Sequence, residues 1–253
     1  MIEFIDRTPA DIQTTVGFFR KGRNIVLSNF FGVGEGEYGL FESANTLLIR
    51  KKESGFYRTY LLSSDINELH GLLSALESKQ YVFNIPSKKG IDDWNVVFQK
   101  AGYTNIGVYN RYYTTKIKYR KSAKGDFATQ DDIAYLEALL TNNFSVFTDY
   151  LPTQEELGKM IDNKQVLVSR GEDGKVLGLL IYTLEGKKCY FNVWIDNSGN
   201  GLFLLYKAYN IVVDNNIGYV YFWVKSTNYD VIKLHITMGA KADGLVDYTF
   251  IKQ

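Results

Sequence analysis

The sequence predicts an α/β fold, a mixed sheet flanked by helices, built as two tandem related domains. Three observations carry this. Between residues 130 and 251, helix-like and strand-like runs alternate in the order α-α-β-β-β-α-β-α-β. One arrangement, an apolar strand, a polar turn, an amphipathic helix, a Gly and a closing strand, occurs in both halves of the chain. The 253 residues, 45% hydrophobic and 23% charged, suffice for two small domains with real cores.

In the N-terminal half, INELHGLLSALES (66–78) reads as an amphipathic helix that carries His70 on its surface or half-buried. Residues 81–85 read as a strand, 91–101 as a helix and 108–117 as a strand. The run TTKIKYRKSAKGDFATQDD (114–132) is the best internal boundary, giving domains at 1–120 and 125–253. Its basic residues, Lys116, Lys118, Arg120, Lys121 and Lys124, read as a solvated linker or a phosphate contact. Thr129 to Asp132 open a helix over 130–143, with acidic residues in the first turn. Thr153 and Glu156 form a capping box that starts a second helix. Strands follow at 165–169, 176–184 and 189–195, joined by the turns RGEDG (170–174) and EGKK (185–188). A glycine-rich turn leads to a helix ending near Asn215. A strand at 219–224, a helix at 228–238 and a last strand at 245–251 complete the chain.

The repeat is visible when residues 85–114 are set on 222–251 at an offset of 137. Gly102 then falls on Gly239 and Gly107 on Gly244. Each helix-ending Gly suits the left-handed C′ conformation.

Lys and Arg number 29 against 28 Asp and Glu, so no electrostatic case exists for nucleic acid or an anionic membrane. The single cysteine, Cys189, rules out an intrachain disulfide and reads as a small buried strand residue. Two His and one Cys give no metal-ligand spacing, so no metal is expected. The start MIEFIDRTPADIQ has no basic region followed by an apolar run, and no stretch nears the roughly 18 apolar residues of a membrane span. A cytoplasmic protein is expected. The 19 Tyr and 16 Phe suit half-buried strand faces and pocket walls. Nothing fixes the oligomeric state.

The stretch NVWIDNSGNGLFLLY (192–206) carries the most chemistry. An apolar strand breaks into Asp-Asn-Ser-Gly-Asn-Gly, and a helix starts at once. Free N–H groups and the positive dipole end at a helix start bind phosphate. Glycines let a ligand approach the backbone. Asp196 acts against this, either capping the helix itself or repelling an anion.

The C-terminal half resembles the GNAT superfamily of acyl-CoA-dependent N-acyltransferases. VKSTNYDVIKLHITMGAKADG (224–244) resembles that family's closing strand, Asn and helix, with Asn228 at the helix-opening Asn and Gly239 at the Gly. His235 stands where the family usually has Tyr, and Ala240 replaces the usual Phe. Asp196 to Gly201 resembles the pyrophosphate motif in both glycines, with Asp196 in place of the leading Gln or Arg. The N-terminal half resembles the same fold only through its closing segment, as a degenerate copy.

The resemblance implies an acetyl-CoA or other acyl-CoA co-substrate and an amine acceptor, small molecule or peptide. It implies that Val193, Trp194 and Ile195 on a splayed strand, Ser198, Gly199, Asn200, Gly201 and Leu202 in the turn and helix start, and Asn228 contact the acyl-CoA. It implies that His235 protonates the leaving thiolate, and Tyr248 would line the acceptor pocket. The plain alternatives are a His235 packed on the sheet and an ordinary strand tyrosine. Residues 189–195 contain no carboxylate to serve as base, which leaves Asp196, Glu185, the first helix pair or water. A catalytically inactive acyl-CoA-binding or scaffold protein is the rival reading.

Overall fold

The computed structural model describes residues 2–77, 81–197, 199 and 201–252. In chain order the elements are β1 (Ile5–Arg7), α1 (Pro9–Arg20), β2 (Leu27–Ser28), β3 (Tyr38–Glu42), β4 (Thr46–Lys52), β5 (Tyr57–Ser63), α2 (Ile66–Ala75), β6 (Tyr81–Ser87), α3 (Asp92–Lys100) and β7 (Tyr103–Thr114). Then come β8 (Asp126–Phe127), a 3-10 turn (Gln130–Asp132), α4 (Ile133–Asn143), α5 (Gln154–Asp162), β9 (Val166–Arg170), β10 (Val176–Glu185), β11 (Lys188–Asp196), α6 (Gly201–Asp214), β12 (Tyr219–Lys225), α7 (Tyr229–Thr237) and β13 (Lys241–Lys252). The fold is α/β, as the alternating pattern predicts. Among the described residues, no helix is long and apolar enough to cross a membrane.

Contacts divide the chain into two compact units, Met1–Val108 with Leu245–Gln253, and Tyr109–Gly244. These are not the contiguous stretches 1–120 and 125–253 drawn from the sequence. The reason is strand pairing. Residues 246–251 of β13 pair antiparallel with β6, and residues 109–114 of β7 pair antiparallel with β12. Each unit is thus closed by a strand from the other half of the sequence.

In the first unit the strand order is β1-β3-β4-β5-β6-β13, with β2 added to β5. Its strands are apolar on both faces. Leu48, Leu61 and Phe83 join a core with α2 and α3, whereas Leu47, Ile49 and Leu62 join one with α1. In the second unit the order is β7-β12-β11-β10-β9-β8. Here Leu180, Phe191 and Phe222 pack under α6, while Leu179, Ile181 and Val193 pack under α4 and α5. The capping box of Thr153 and Glu156 opens α5 as expected.

Gly102 and Gly239 end α3 and α7 with φ of 83° and 98°. Their N–H groups reach back to Gln99 and Ile236 carbonyls at 3.0 and 2.9 Å, which closes the helix ends. The basic run after β7 is not a free linker. It is laid along α6: Asn210 accepts the Arg120 N–H at 2.7 Å and donates to the Arg120 carbonyl at 2.9 Å. Lys124 N–H donates to the Phe203 carbonyl at 3.2 Å.

Asn210→Ala removes both partners of the Arg120 peptide. We expect a loss of about 2 kcal/mol in chemical denaturation, the cost of stranding one donor and one acceptor.

Candidate functional site

The site begins with a fault in β11. Against β10 the register runs Ile181 to Val193 and then Tyr182 to Phe191, so Asn192 is an extra residue, a β-bulge. Thr183 Oγ1 donates to the Asn192 side chain at 3.1 Å. On its other edge β11 runs parallel to β12 for four pairs, Lys188–Tyr219 to Phe191–Phe222. The pairing ends where the bulge begins. Past that point β11 stays with β10 as far as Asp196, and β12 stays with β7 as far as Lys225. The two strands therefore diverge, leaving a wedge between residues 192–196 and 223–225.

Three rings flank the wedge on the α6/α7 side. His235 of α7 lies 4.0 Å from the Phe222 ring centroid and 5.7 Å from that of Trp194. His235 is only 3% exposed. Its Nδ1 and the Trp194 Nε1 are buried without a hydrogen-bond partner among the described residues. Such atoms carry a desolvation cost that a ligand's polar groups would relieve. Val193 and Ile195 point the other way, into the α4/α5 core.

Past the wedge the chain turns into α6. Gly199 has φ 70°, the left-handed region, and Gly201 begins the helix. A Cβ on Gly201 would stand 2.7 Å from Asp196 Oδ2, so only Gly fits there and the carboxylate rests on the helix start. That placement satisfies the helix dipole. Leu202 is half-buried, and Leu204 and Leu205 are buried beneath the helix. Ser198 and Asn200 lie outside the described residues.

No family profile and no curated protein matches the sequence. Solved structures do match the fold. An acetyltransferase from the GNAT family of Colwellia psychrerythraea aligns over 100% of this chain and 99% of its own, with a TM-score of 0.59 and 13% identity. A GCN5-related N-acetyltransferase from Sphaerobacter thermophilus aligns over 98% and 94%, with a TM-score of 0.58 and 11% identity. A tandem GNAT protein from the clavulanic acid biosynthesis pathway aligns over 99% and 97%, with a TM-score of 0.53 and 8% identity. The chain carries the GNAT fold.

Within this GNAT framework the residues named from sequence separate. Trp194 and His235 meet at the wedge, and Gly199, Gly201 and Leu202 form the turn beyond it. Asn228 is the N-cap of α7, its side-chain oxygen accepting the Val231 N–H at 3.4 Å. Tyr248 belongs to the other unit, where it packs against the core that holds Phe83 and Phe250. Cys189 is buried, and burial pushes its thiol up to about 12, far from a reactive thiolate. His70 is half-buried on α2.

Burial bears on the role expected of His235. Burial pulls its pKa down to about 4. At neutral pH the ring is uncharged, so it cannot supply a proton as imidazolium. It can still offer one N–H and one acceptor nitrogen.

Sequence reasoning missed Ser169. It sits beside Gly178 on β9, and Gly178 in turn faces Asp196. The Ser169 hydroxyl is buried without a partner among the described residues. The signal was Gly178: a Cβ there would meet the Ser169 hydroxyl and come within 3.1 Å of the Ile195 carbonyl.

The buried neutral His235 has a pH signature. Unfolded, a histidine titrates near 6.5; folded, His235 titrates near 4. Between those values the unfolded chain binds the extra proton, so stability falls on acidification from about pH 6.5 to 4. At about 1.4 kcal/mol per pH unit the loss attributable to His235 approaches 3 kcal/mol. His235→Phe removes that slope in denaturation measured across pH.

Proposed function

We propose that residues 109–244 bind an acyl-CoA and that the chain transfers its acyl group, most simply acetyl, to an amine. The observation that carries this reading is the bulged β11 splayed from β12, leading directly into the glycine turn and α6. The resemblance of residues 224–244 to the GNAT closing segment and the fold-level likeness to GNAT acetyltransferases support it.

In this reading the thioester arm enters the wedge. Its amides meet the open edge of β11 and the Trp194 Nε1–H, and the carbonyl is polarised by backbone groups near the bulge. The amine nitrogen attacks the thioester carbon, the C–S bond breaks, and the thiolate leaves. Neutral His235 donates a hydrogen bond to the sulfur, and the amine's proton passes to water. The buried Asp132 and the half-buried Asp243 are held by Arg170 at 2.7 Å and Arg111 at 2.6 Å, so neither suits the task of base. Asp196 ends β11 itself, and Glu185 ends the neighbouring β10.

The pyrophosphate would compete with Asp196 for the start of α6. Titrating acetyl-CoA by calorimetry tests this directly. We expect micromolar binding, its loss in Gly201→Glu, and about five- to tenfold tighter binding in Asp196→Asn, the size of one helix-end charge effect. Absence of binding in the folded wild-type protein would sink the proposal.

A non-catalytic acyl-CoA-binding module is favoured by the uncharged His235 and by the lack of a carboxylate at residues 189–195. Release of free CoA, with and without a panel of amines, separates the two: only the enzyme accelerates with an acceptor.

A further inference from the structure

The first unit has a splay of its own. Strands β5 and β6 run parallel for just two pairs, Tyr57–Tyr81 and Arg58–Val82, and then part. The outer edge of β5 is taken by β4 along its whole length, and that of β6 by β13. Whatever else bonds to them does so from inside the cleft.

The chain's own segment 26–29 does this. Leu27 and Ser28 of β2 pair antiparallel with Ser63 and Leu62, and the Val26 N–H donates to the Ser63 carbonyl at 2.9 Å. Asn29, only 2% exposed, bridges the parted strands. Its Nδ2 donates to the Thr59 carbonyl of β5 at 3.1 Å and to the Asn84 carbonyl of β6 at 2.9 Å. Its Oδ1 accepts the Leu61 N–H at 2.7 Å. One primary amide thus satisfies backbone groups on both strands, as the amides of an extended ligand would. The wedge in the second unit has no such internal strand among the described residues, and it carries the unpartnered Trp194 and His235 nitrogens.

We propose that segment 26–29 is a built-in occupant of the first unit's cleft, with Asn29 standing where an acyl donor's amides would bind, so that the chain carries one acyl-donor site, in the second unit. The filled cleft stands on its own contacts. The likening of Asn29 to a donor's amides and the count of one rest on the acyl-CoA reading above.

The test is amide hydrogen exchange of the whole protein, with and without acetyl-CoA, alongside calorimetric stoichiometry. In the ligand-free protein the Leu61 amide is expected to be protected. Asn29→Asp keeps the acceptor and loses both donors, and should speed exchange across residues 59–63 by about tenfold or more. Acetyl-CoA should leave exchange in 59–63 and 83–87 unchanged while protecting 192–196, with at most one equivalent bound. If acetyl-CoA does not bind at all, the donor reading fails while a protected Leu61 still upholds the filled cleft. Two equivalents, ligand-induced protection in 59–63, or fast Leu61 exchange without ligand would each overturn the inference. The wild-type arms require no variant to fold.

Discussion

Two parallel strands that pair at their beginnings and part at their ends create an opening that something must fill. In the second unit the opening coincides with a single extra residue. Asn192 breaks the register between β10 and β11, and the parallel ladder to β12 stops beside it at Phe191 and Phe222. Everything else at the site follows from that. The rings of Trp194 and His235 close one side, and the strand delivers its end to the glycine turn. The first unit has the same opening between β5 and β6 and fills it with its own backbone and one amide. The first unit's strands part without a bulge, since β5 stays in register with β4 throughout, and the opening there holds the chain's own segment 26–29.

Burial governs the chemistry of these groups more than residue type does. His235 looks like a physiological-pH acid on paper, yet enclosure between Phe222 and Trp194 keeps it uncharged. Asp196 is the reverse case. It stays at the surface against a helix start, where its charge is welcome in the absence of another anion. His235 and Asp196, two of the departures from the pattern the sequence resembles, therefore differ in kind, one set by environment and one by charge.

The second half of the fold was legible because its elements are punctuated. Capping residues such as Thr153, turn glycines such as Gly174 and helix-ending glycines such as Gly239 mark nearly every boundary there. The strands β3 to β5 were not legible. Their residues feed cores on both faces, as Leu47 and Leu48 do, so no polar alternation betrays a period of two. Of the residues named from sequence, Trp194 and His235 meet, and Gly199 and Gly201 lie where β11 leads into α6. The bulge at Asn192, the ionisation state of His235 and the bridging by Asn29 were not legible. Each depends on partners far away in the chain, which a local pattern does not encode.

The chain leaves the first unit in the middle of β7 and returns in the middle of β13. Lys252 is fastened there, its Nζ donating to the Ser74 and Leu76 carbonyls at 2.7 and 2.9 Å. A cut in the segment between the two sequence repeats would therefore not release two self-sufficient pieces. The leading piece would lack the strand that borders β6, and the trailing piece would lack the strand that borders β12, so each would expose a raw, adhesive sheet edge. Each unit is completed by a strand from the other half of the sequence, so neither half alone holds all the strands of one unit.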